Sequence, residues 1–317
     1  MRKVDLFCIV IVLVAIFSIS CSERVKVTRT DTTTSGYAEI AADDCFAPII
    51  EEEIDVFEGT HNDASIVPFY LSEVDAVNLM LKDSVRLVIA ARDLTEGEKQ
   101  GLRDKQLQPR SQKIAIDGIA LIINKENTDS LISVSALKKI MTGEINSWKE
   151  LSPQSKYDKI SVVFDNPNSS TVRFIKDSIN RGEPLAQSLS ALESNKAVLE
   201  YVSKTPNAMG LIGVNWISNP NDSTNLSFTD KVRVMAVSKS DIPTEKNSFQ
   251  PFAAFLAMGE YPLRRDVYVI LSDLKGTLPA GFVNFISGDK GQRIILKAGL
   301  VPATRPMRLI SVQEQFK

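Results

Sequence analysis

Beyond Tyr37 the sequence alternates between short apolar segments and longer amphipathic ones, and this alternation restricts the fold more than any other feature of the chain. The segments 66–71, 85–90 and 114–123 are rich in apolar and β-branched residues, which is typical of buried strands. Between them lie helix patterns such as the one that Ser72 precedes. Strands that alternate with helices in this way form open, largely parallel α/β sheets, in which ligand sites lie at the carboxyl ends of strands.

The N-terminal residues predict an export signal rather than part of the fold. Arg2 and Lys3 precede an apolar run, 6–19, which ends in small residues before Cys21, as in secretory signal peptides. The run falls short of the ~20 residues that a membrane-spanning helix needs, so a permanent signal anchor is the weaker alternative.

The end of this signal also predicts a lipid anchor. The segment 18–21 resembles a bacterial lipoprotein cleavage site, although Ser18 stands where leucine is commonest. We therefore predict a signal peptide over 1–20, a lipid on Cys21 and a flexible polar tether over 21–36. The folded part would then lie in the periplasm or at the cell surface, held to a bacterial membrane by its lipid.

Composition excludes several classes of site and partner. With Cys8 in the signal peptide and Cys21 assigned to the lipid, only Cys45 remains in the folded part, so no intramolecular disulfide is expected there. His61 is the only histidine, and without a second histidine or a cysteine pair we expect no metal site. The net charge of −2 argues against a nucleic-acid partner, which would favour a basic face. No motif indicates a cofactor.

The strongest candidate for an anion site is the segment 162–175, VVFDNPNSSTVRFI. It runs from a strand through a polar turn into an apolar-periodic helix, and Ser169, Ser170 and Thr171 lie at the helix start. Free N–H groups and the positive end of the helix dipole attract anions at such a point. The alternative is that one of the serines only caps the helix.

Two other positions could take part. Asp44, Cys45 and Phe46 open the helix after the first strand and form a second candidate helix N-terminus, although acids there are more often simple caps. Asp117 interrupts an apolar strand just before Gly118, where an acid is costly unless it has a partner. It either accepts a hydrogen bond from a protonated phosphate or caps a bend where the chain crosses between lobes.

Arg92 is the candidate cation. It directly follows the strand at 85–90, so it should project from the carboxyl end of that strand, where sites form in α/β folds. Its guanidinium can hold an oxyanion with two parallel hydrogen bonds, and Asp93 could fix its position. The alternative is a surface helix cap formed by Asp93.

Five motifs in order cover most of the chain and indicate one family. They are DGIALIINKENTDSLISVSALKKIMTGEINSWKEL at 117–151, VVFDNPNSSTVRF at 162–174, GLIGV at 210–214, YPLRRDVYVI at 261–270 and FISGDKGQRIILKAGLVP at 285–302. Together they resemble the phosphate-binding proteins that serve ABC transporters. The resemblance implies a two-lobed type II periplasmic binding protein fold with a ligand cleft at the hinge. It implies lobe one at 37–118 and 232–317 and lobe two at 119–231.

The resemblance also implies site residues. The family's Ser-Gly-Thr phosphate loop falls on Ser169, Ser170 and Thr171, so Ser170 replaces the glycine. The arginine that often precedes this loop falls near Asp165, whose charge would repel phosphate unless it accepts the ligand's proton. Arg92 then becomes the expected compensating clamp.

The implied function is capture of inorganic phosphate, or a related oxyanion, for an ABC permease in the inner membrane. The segment 44–46 matches the family's first phosphate-contacting loop in position, although the usual small hydroxyl residues are missing. The loss of the arginine at Asp165 favours an alternative, a sensory or scaffold lipoprotein that binds another ligand or a protein partner. An enzyme lacks support, because the sequence offers no activated nucleophile or metal cluster. We expect a monomer.

Overall fold

The computed structural model of the chain describes residues 30–219, 222 and 227–305. The predicted signal peptide over 1–20, the lipid site Cys21 and the tether up to residue 29 lie outside the described residues. Within the described ranges, no helix is both long and apolar enough to cross a membrane.

Strands and helices alternate along the described chain as the sequence predicts. The strands are β1 (Gly36–Asp43), β2 (Ala64–Leu71), β3 (Leu87–Ala90), β4 (Arg110–Ile123), β5 (Leu131–Ser133), β6 (Ser161–Phe164), β7 (Ser190–Ala191), β8 (Ala208–Gly213), β9 (Arg233–Val234), β10 (Ala236–Ser238), β11 (Ser248–Phe249), β12 (Arg264–Leu271) and β13 (Val301–Pro302). The helices are α1 (Ala47–Thr60), α2 (Glu73–Leu81), α3 (Glu96–Asp104), α4 (Val134–Thr142), α5 (Trp148–Leu151), α6 (Ser170–Phe174), α7 (Asn195–Lys204), α8 (Ala253–Met258), α9 (Leu278–Ser287) and α10 (Asp289–Lys297).

Three tighter or wider turns extend these helices. A 3₁₀ turn, Asp44–Phe46, precedes α1, and another, Val214–Trp216, follows β8. A π-helical turn, Ile175–Ile179, continues α6, so that helical backbone runs without a break from Ser170 to Ile179.

The main sheet has the order β2-β1-β3-β12-β4-β8-β6-β7, with β13 and β9 also paired to β4. The long strand β4 serves two neighbours in turn: 110–118 pair with β12, and 119–123 pair with β8. We call β2, β1, β3 and β12 the first half of the sheet, and β8, β6 and β7 the second half. The β5, β10 and β11 strands form a separate small sheet.

The sheet is mixed, whereas the sequence predicts a largely parallel one. The outer strands pair in parallel within each half, but β12 and β8 both run antiparallel to β4. The reason in the first half is that β12 inserts between β3 and β4 and runs antiparallel to both of them.

Each half has its own core. In the first half, α1, α9 and α10 cover a cluster that includes Ile40, Phe57 and Phe282. In the second half, a cluster that includes Leu121 and Trp148 is equally buried. Burial of each such side chain stabilises the fold by roughly 1.5–3 kcal/mol, so each half has a substantial apolar interior of its own.

The backbone passes closely between the two halves at Gly118. A Cβ atom there would lie 2.9 Å from a methyl carbon of Leu256 and 3.3 Å from side chains of Pro251 and Val214. Any larger residue would therefore push these side chains away from the point where β4 leaves one half for the other.

The strand pairing bears on the predicted limits of the lobes. The β9 strand pairs with residues 122 and 123 of β4, and Leu256, Tyr261 and Leu263 belong to the second-half core. The hydroxyl of Tyr261 also donates to the carbonyl of Ile119 at 2.6 Å. These contacts favour a return to lobe one at β12 rather than at residue 232, and the numerical boundaries stay a prediction.

The end of the predicted tether is folded. Asp31 accepts a hydrogen bond from the backbone N–H of Leu278, the first residue of α9, at 2.9 Å. Thr32 and Ser35 form a β-bridge, and Gly36 follows with φ +112°. Gly281 in α9 lets the carbonyl of Thr33 approach to a distance that no side chain would permit. Residues 31–36 are therefore part of the folded body, because Asp31 supplies a cap that α9 otherwise lacks.

Glu53 is a buried acid in the first-half core. It lies in α1 with no exposed surface, and among the described residues neither carboxyl oxygen has a hydrogen-bond partner. A cavity of about 10 Å³, lined by Phe46, Val267 and Leu300 among other apolar residues, lies beside it. Burial raises the pKa of Glu53 to about 8, with a smaller contribution from Glu52.

We expect Glu53→Leu to stabilise the protein at pH 8. The folded-state pKa of Glu53 lies above the ordinary value of 4.5. The stability that its protonated form contributes is complete below pH 4.5 and is lost as the pH rises through about 8. The variant should be more stable than the wild type by roughly 2–4 kcal/mol at pH 8 and should show a flatter pH dependence. Urea unfolding at pH 5 and pH 8 measures both effects.

Glu51→Gln is the matched control, because Glu51 is exposed on the same helix. It should change the free energy of unfolding by less than about 0.5 kcal/mol. A Glu53→Leu variant that is less stable than the wild type at both pH values would contradict the assignment of an unpaired buried acid.

Candidate functional site

Polar side chains from both halves of the sheet meet at the ends of their strands. Asp43 ends β1 and Asp165 follows β6, whereas Asn195 begins α7. All three are at most 1% exposed. The other members of this cluster, which we call the cleft cluster, are Asp44, Cys45, Phe46, Asp117, Ser169, Ser170, Thr171 and Arg265.

Arg265 is the cation of the cleft cluster. Its Nε donates to Asp117 Oδ2 at 2.9 Å, and its Nη2 lies 2.8 Å from the same oxygen. Its Nη1 donates to Ser170 Oγ at 2.8 Å, and the guanidinium lies 5.3 Å from the ring centre of Phe46. Burial alone would lower the pKa of Arg265, but Asp117 and the other acidic groups of the cluster together outweigh this effect and raise it. Arg265 therefore stays cationic.

A second set of contacts surrounds the predicted Ser-Thr loop. Ser169 caps α6 and also donates from its hydroxyl to Asp165 Oδ1 at 2.7 Å. Asn195 Nδ2 donates to Asp165 Oδ2 at 3.2 Å. The sulfur of Cys45 lies 3.1 Å from Thr171 Oγ1 and 3.5 Å from Asp165 Oδ2. Both carboxylate oxygens of Asp165 therefore already accept hydrogen bonds from within the protein.

Burial changes the protonation of these groups. It raises the pKa of Asp43 to about 7, and the charges of Glu73 and Asp165 add to this effect while Arg265 opposes it. Burial also raises the pKa of Asp165 and that of the Cys45 thiol. The thiol is therefore neutral, and the cleft cluster carries less negative charge than its composition implies.

The structure brings together the site residues that the sequence predicts, with one exception. The turn after β1 contains Asp44, Cys45 and Phe46. The strand β4 contains Asp117, next to the point where the strand passes from one half to the other. The loop into α6 and the start of that helix contain Asp165 and 169–171. Their roles in binding a ligand stay predictions.

Arg92 is the exception. Its Nη1 and Nη2 donate to the two carboxylate oxygens of Glu98 at 2.7 and 2.8 Å. Its Nε lies 3.8 Å from Glu73, whose carboxylate also binds Arg173 at 2.5 Å. Arg92 is therefore engaged by α2 and α3, and no contact joins it to the cleft cluster among the described residues.

Arg265, Asp43 and Asn195 belong to the cleft cluster but are not among the site residues that the sequence predicts. A signal for Arg265 was present in the motif YPLRRDVYVI, because residues on one face of a strand alternate. Val267 and Val269 face the core, and Arg265 shares their face, whereas Arg264 is exposed. The core face of β12 thus identifies which of the two arginines points inward.

Asp43, Cys45 and Asp165 each place one potential metal-ligand atom within 4.8 Å of the other two. Each of these side chains already has hydrogen-bond partners, and the Arg265 guanidinium supplies positive charge to the same cluster. The arrangement therefore does not require a cation, and the expectation of no metal stays a prediction.

Comparisons with known proteins agree with the fold. A family model described as a PBP superfamily domain matches residues 27–290. The chain is 26% identical over 263 residues to the phosphate-binding protein PstS of Staphylococcus aureus strain USA300, which covers 81% of this chain and 75% of that relative.

Solved structures match over 84% of this chain. One is a candidate phosphate ABC transporter substrate-binding protein from Clostridium perfringens with bound phosphate, with a TM-score of 0.71, 22% identity and 100% of that chain covered. Another is an ABC-type phosphate transport receptor from Vibrio cholerae, with a TM-score of 0.61, 20% identity and 100% coverage. At these identities the matches concern the fold, and the predicted two-lobed α/β fold is confirmed.

The ion pair at the centre of the cleft cluster yields a stability prediction. We expect Asp117→Leu to destabilise the protein by about 3–5 kcal/mol, because it leaves the buried charge of Arg265 uncompensated. The double variant Asp117→Leu/Arg265→Met should be more stable than the single Asp117→Leu variant, since it removes both charges. Urea unfolding of the wild type, both single variants and the double variant measures the coupling.

The exposed pair of Arg293 and Asp289, 2.9 Å apart in α10, is the matched control. Arg293→Ala should cost less than about 1 kcal/mol, because solvent screens that pair. Additive effects of the two cleft substitutions would show that Asp117 and Arg265 do not depend on each other.

Proposed function

The chain belongs to the PBP (periplasmic binding protein) superfamily, and on that premise we propose that it captures phosphate, or a similar oxyanion, outside the cytoplasmic membrane. The observation that carries this proposal is the contact of Arg265 with Ser170. It sets a buried cation beside the hydroxyls and N–H groups at the start of α6. An oxyanion needs such fixed donors to replace its water shell.

The donors come from opposite halves of the sheet. Arg265 belongs to the first half, and the loop 169–171 follows β6 in the second half. A ligand that binds both sets of donors would favour the closed arrangement of the lobes over an open one. Capture by closure is therefore the mechanism that we propose.

The relatives support phosphate as the ligand and transport as the role. PstS of Staphylococcus aureus is a phosphate-binding protein, and the Clostridium perfringens structure holds phosphate. We propose that this chain likewise delivers its ligand to an ABC permease, that it acts as a monomer, and that the lipid on Cys21 holds it to the membrane. We propose a binding function rather than an enzymatic one, because burial raises the pKa of the Cys45 thiol and keeps it in its neutral, weakly nucleophilic form.

One observation favours the second candidate function, a sensory or scaffold lipoprotein with the same fold. Asp43, Asp117 and Asp165 place three buried carboxyl groups around a single arginine. An anion would bind less favourably in such a cluster than in one rich in arginine, because carboxylates without a compensating cation repel the anion.

Calorimetric titration of the full chain tests the main proposal. We expect reversible phosphate binding and an increase of the melting temperature at millimolar phosphate. Arg265→Met should weaken binding at least tenfold, because it removes the buried cation. Ser170→Ala, which removes one hydroxyl and keeps the charge, should weaken it less.

Arg92→Ala is the matched control, because it removes an arginine outside the cleft cluster and should leave the affinity within about twofold. Loss of binding in Arg92→Ala but not in Arg265→Met would overturn the choice of clamp. Binding of no oxyanion by the wild type would favour the sensory or scaffold function instead.

A further inference from the structure

Two carboxylates of the first half of the sheet reach helix starts of the second half. Asp43 Oδ2 accepts a hydrogen bond from the backbone N–H of Ser170 at 3.2 Å, while its Oδ1 accepts from the N–H of Cys45 at 3.0 Å. Asp44 Oδ2 accepts from the backbone N–H and the side-chain amide of Asn195, at 3.0 and 2.9 Å. Each aspartate thus occupies N–H groups of α6 or α7.

A carboxylate is itself an oxyanion, and it uses the same donors that a bound phosphate would use. Asp43 accepts from the N–H of Ser170, and Arg265 donates to the hydroxyl of the same serine. The Asp43 carboxyl group therefore occupies the place where the proposed function needs a ligand oxygen.

Further contacts hold the two halves together without any ligand. Asn215 Nδ2 donates to the carbonyl of Cys45 at 2.7 Å, and Trp216 Nε1 donates to the carbonyl of Asp44 at 3.2 Å. Glu73 at the start of α2 pairs with Arg173 in α6 at 2.5 Å. These contacts tie the turn after β1 and the start of α2 to the second half.

We propose that Asp43 and Asp44 compete with the ligand. They hold the cleft closed by occupying the helix N–H groups, and an oxyanion binds only when Asp43 leaves Ser170. The competition rests on the proposed function, because it assumes that an oxyanion uses these donors. The closure by Asp43 and Asp44 does not rest on it.

The competition has a quantitative consequence. The binding-competent form is only the fraction of molecules in which Asp43 has left Ser170, and the apparent affinity is reduced by that fraction. Asp43 keeps the N–H of Ser170 from a ligand, and its ionised form also repels an anion, so removal of Asp43 should raise phosphate affinity by about tenfold or more.

Tryptophan emission of the full chain reports closure. Trp216 contacts Asp44 across the cleft, whereas Trp148 is buried in the second-half core and should not respond. Without phosphate, we expect Asp43→Ala and Asp44→Ala to shift the emission to the red, because opening exposes Trp216 to water. The shift should vanish when Trp216→Phe is added to each variant.

Calorimetry with inorganic phosphate measures the competition. Asp43→Ala should bind at least tenfold more tightly than the wild type, and Asp43→Asn provides the same test if the alanine variant does not fold. Asp63→Ala, in the exposed turn before β2, is the matched control and should change neither emission nor affinity.

The outcomes separate this inference from the proposed function. Unchanged emission in both Asp43→Ala and Asp44→Ala would overturn closure by these carboxylates. Weaker or equal phosphate binding by Asp43→Ala, with a wild type that binds, would overturn the competition and leave the proposed function in place. A red shift with no oxyanion bound by the wild type or the variants would support closure and refute the proposed function.

Discussion

The cleft depends on one buried ion pair, the contact of Arg265 with Asp117. The two residues are cross-strand partners in the ladder of β12 and β4, so the sheet itself fixes their separation. A buried charge is costly to desolvate, and each partner is tolerable here only because the other is present. With its Nε and Nη2 directed at Asp117, the guanidinium has Nη1 left for Ser170, and this contact brings the start of α6 into the cluster.

The order of elements could be predicted from the sequence because helix starts and buried strands have local signatures. Ser72 and Ser133 cap α2 and α4, and Gly143 ends α4 with a positive φ, as their positions indicate. The mixed direction of the sheet could not be predicted, because β12 joins β4 from a distant part of the chain and no local pattern specifies that partner. The same limit explains why the sequence indicates Arg92 rather than Arg265 as the cation. Arg92 does follow a strand, but its guanidinium donates to Glu98 in the first turn of α3, a contact that only the folded chain defines.

The chemistry of the cleft departs from that of a simple anion cradle. Asp165 stands where the resembled family often has an arginine, and its carboxylate accepts from Ser169 and Asn195. The cation of the cleft cluster is Arg265, a residue about a hundred positions later in the sequence. Because burial disfavours ionisation of Asp43 and Asp165, the number of charges in the cleft is set by solvation as well as by composition.

The continuity of β4 has a mechanical consequence. Many two-lobed proteins change shape at loops, where a few residues absorb the rotation. Here one strand is hydrogen-bonded to β12 up to Gly118 and to β8 from Ile119 onward. The side chains of Leu256, Pro251 and Val214 crowd that junction. Rotation of one half against the other would therefore have to twist a strand that is hydrogen-bonded on both sides of the junction. The more hydrogen bonds this strand makes, the more strongly it resists the twist. The two halves would therefore resist rotation away from one relative orientation. The packing of side chains against Gly118 would set that orientation.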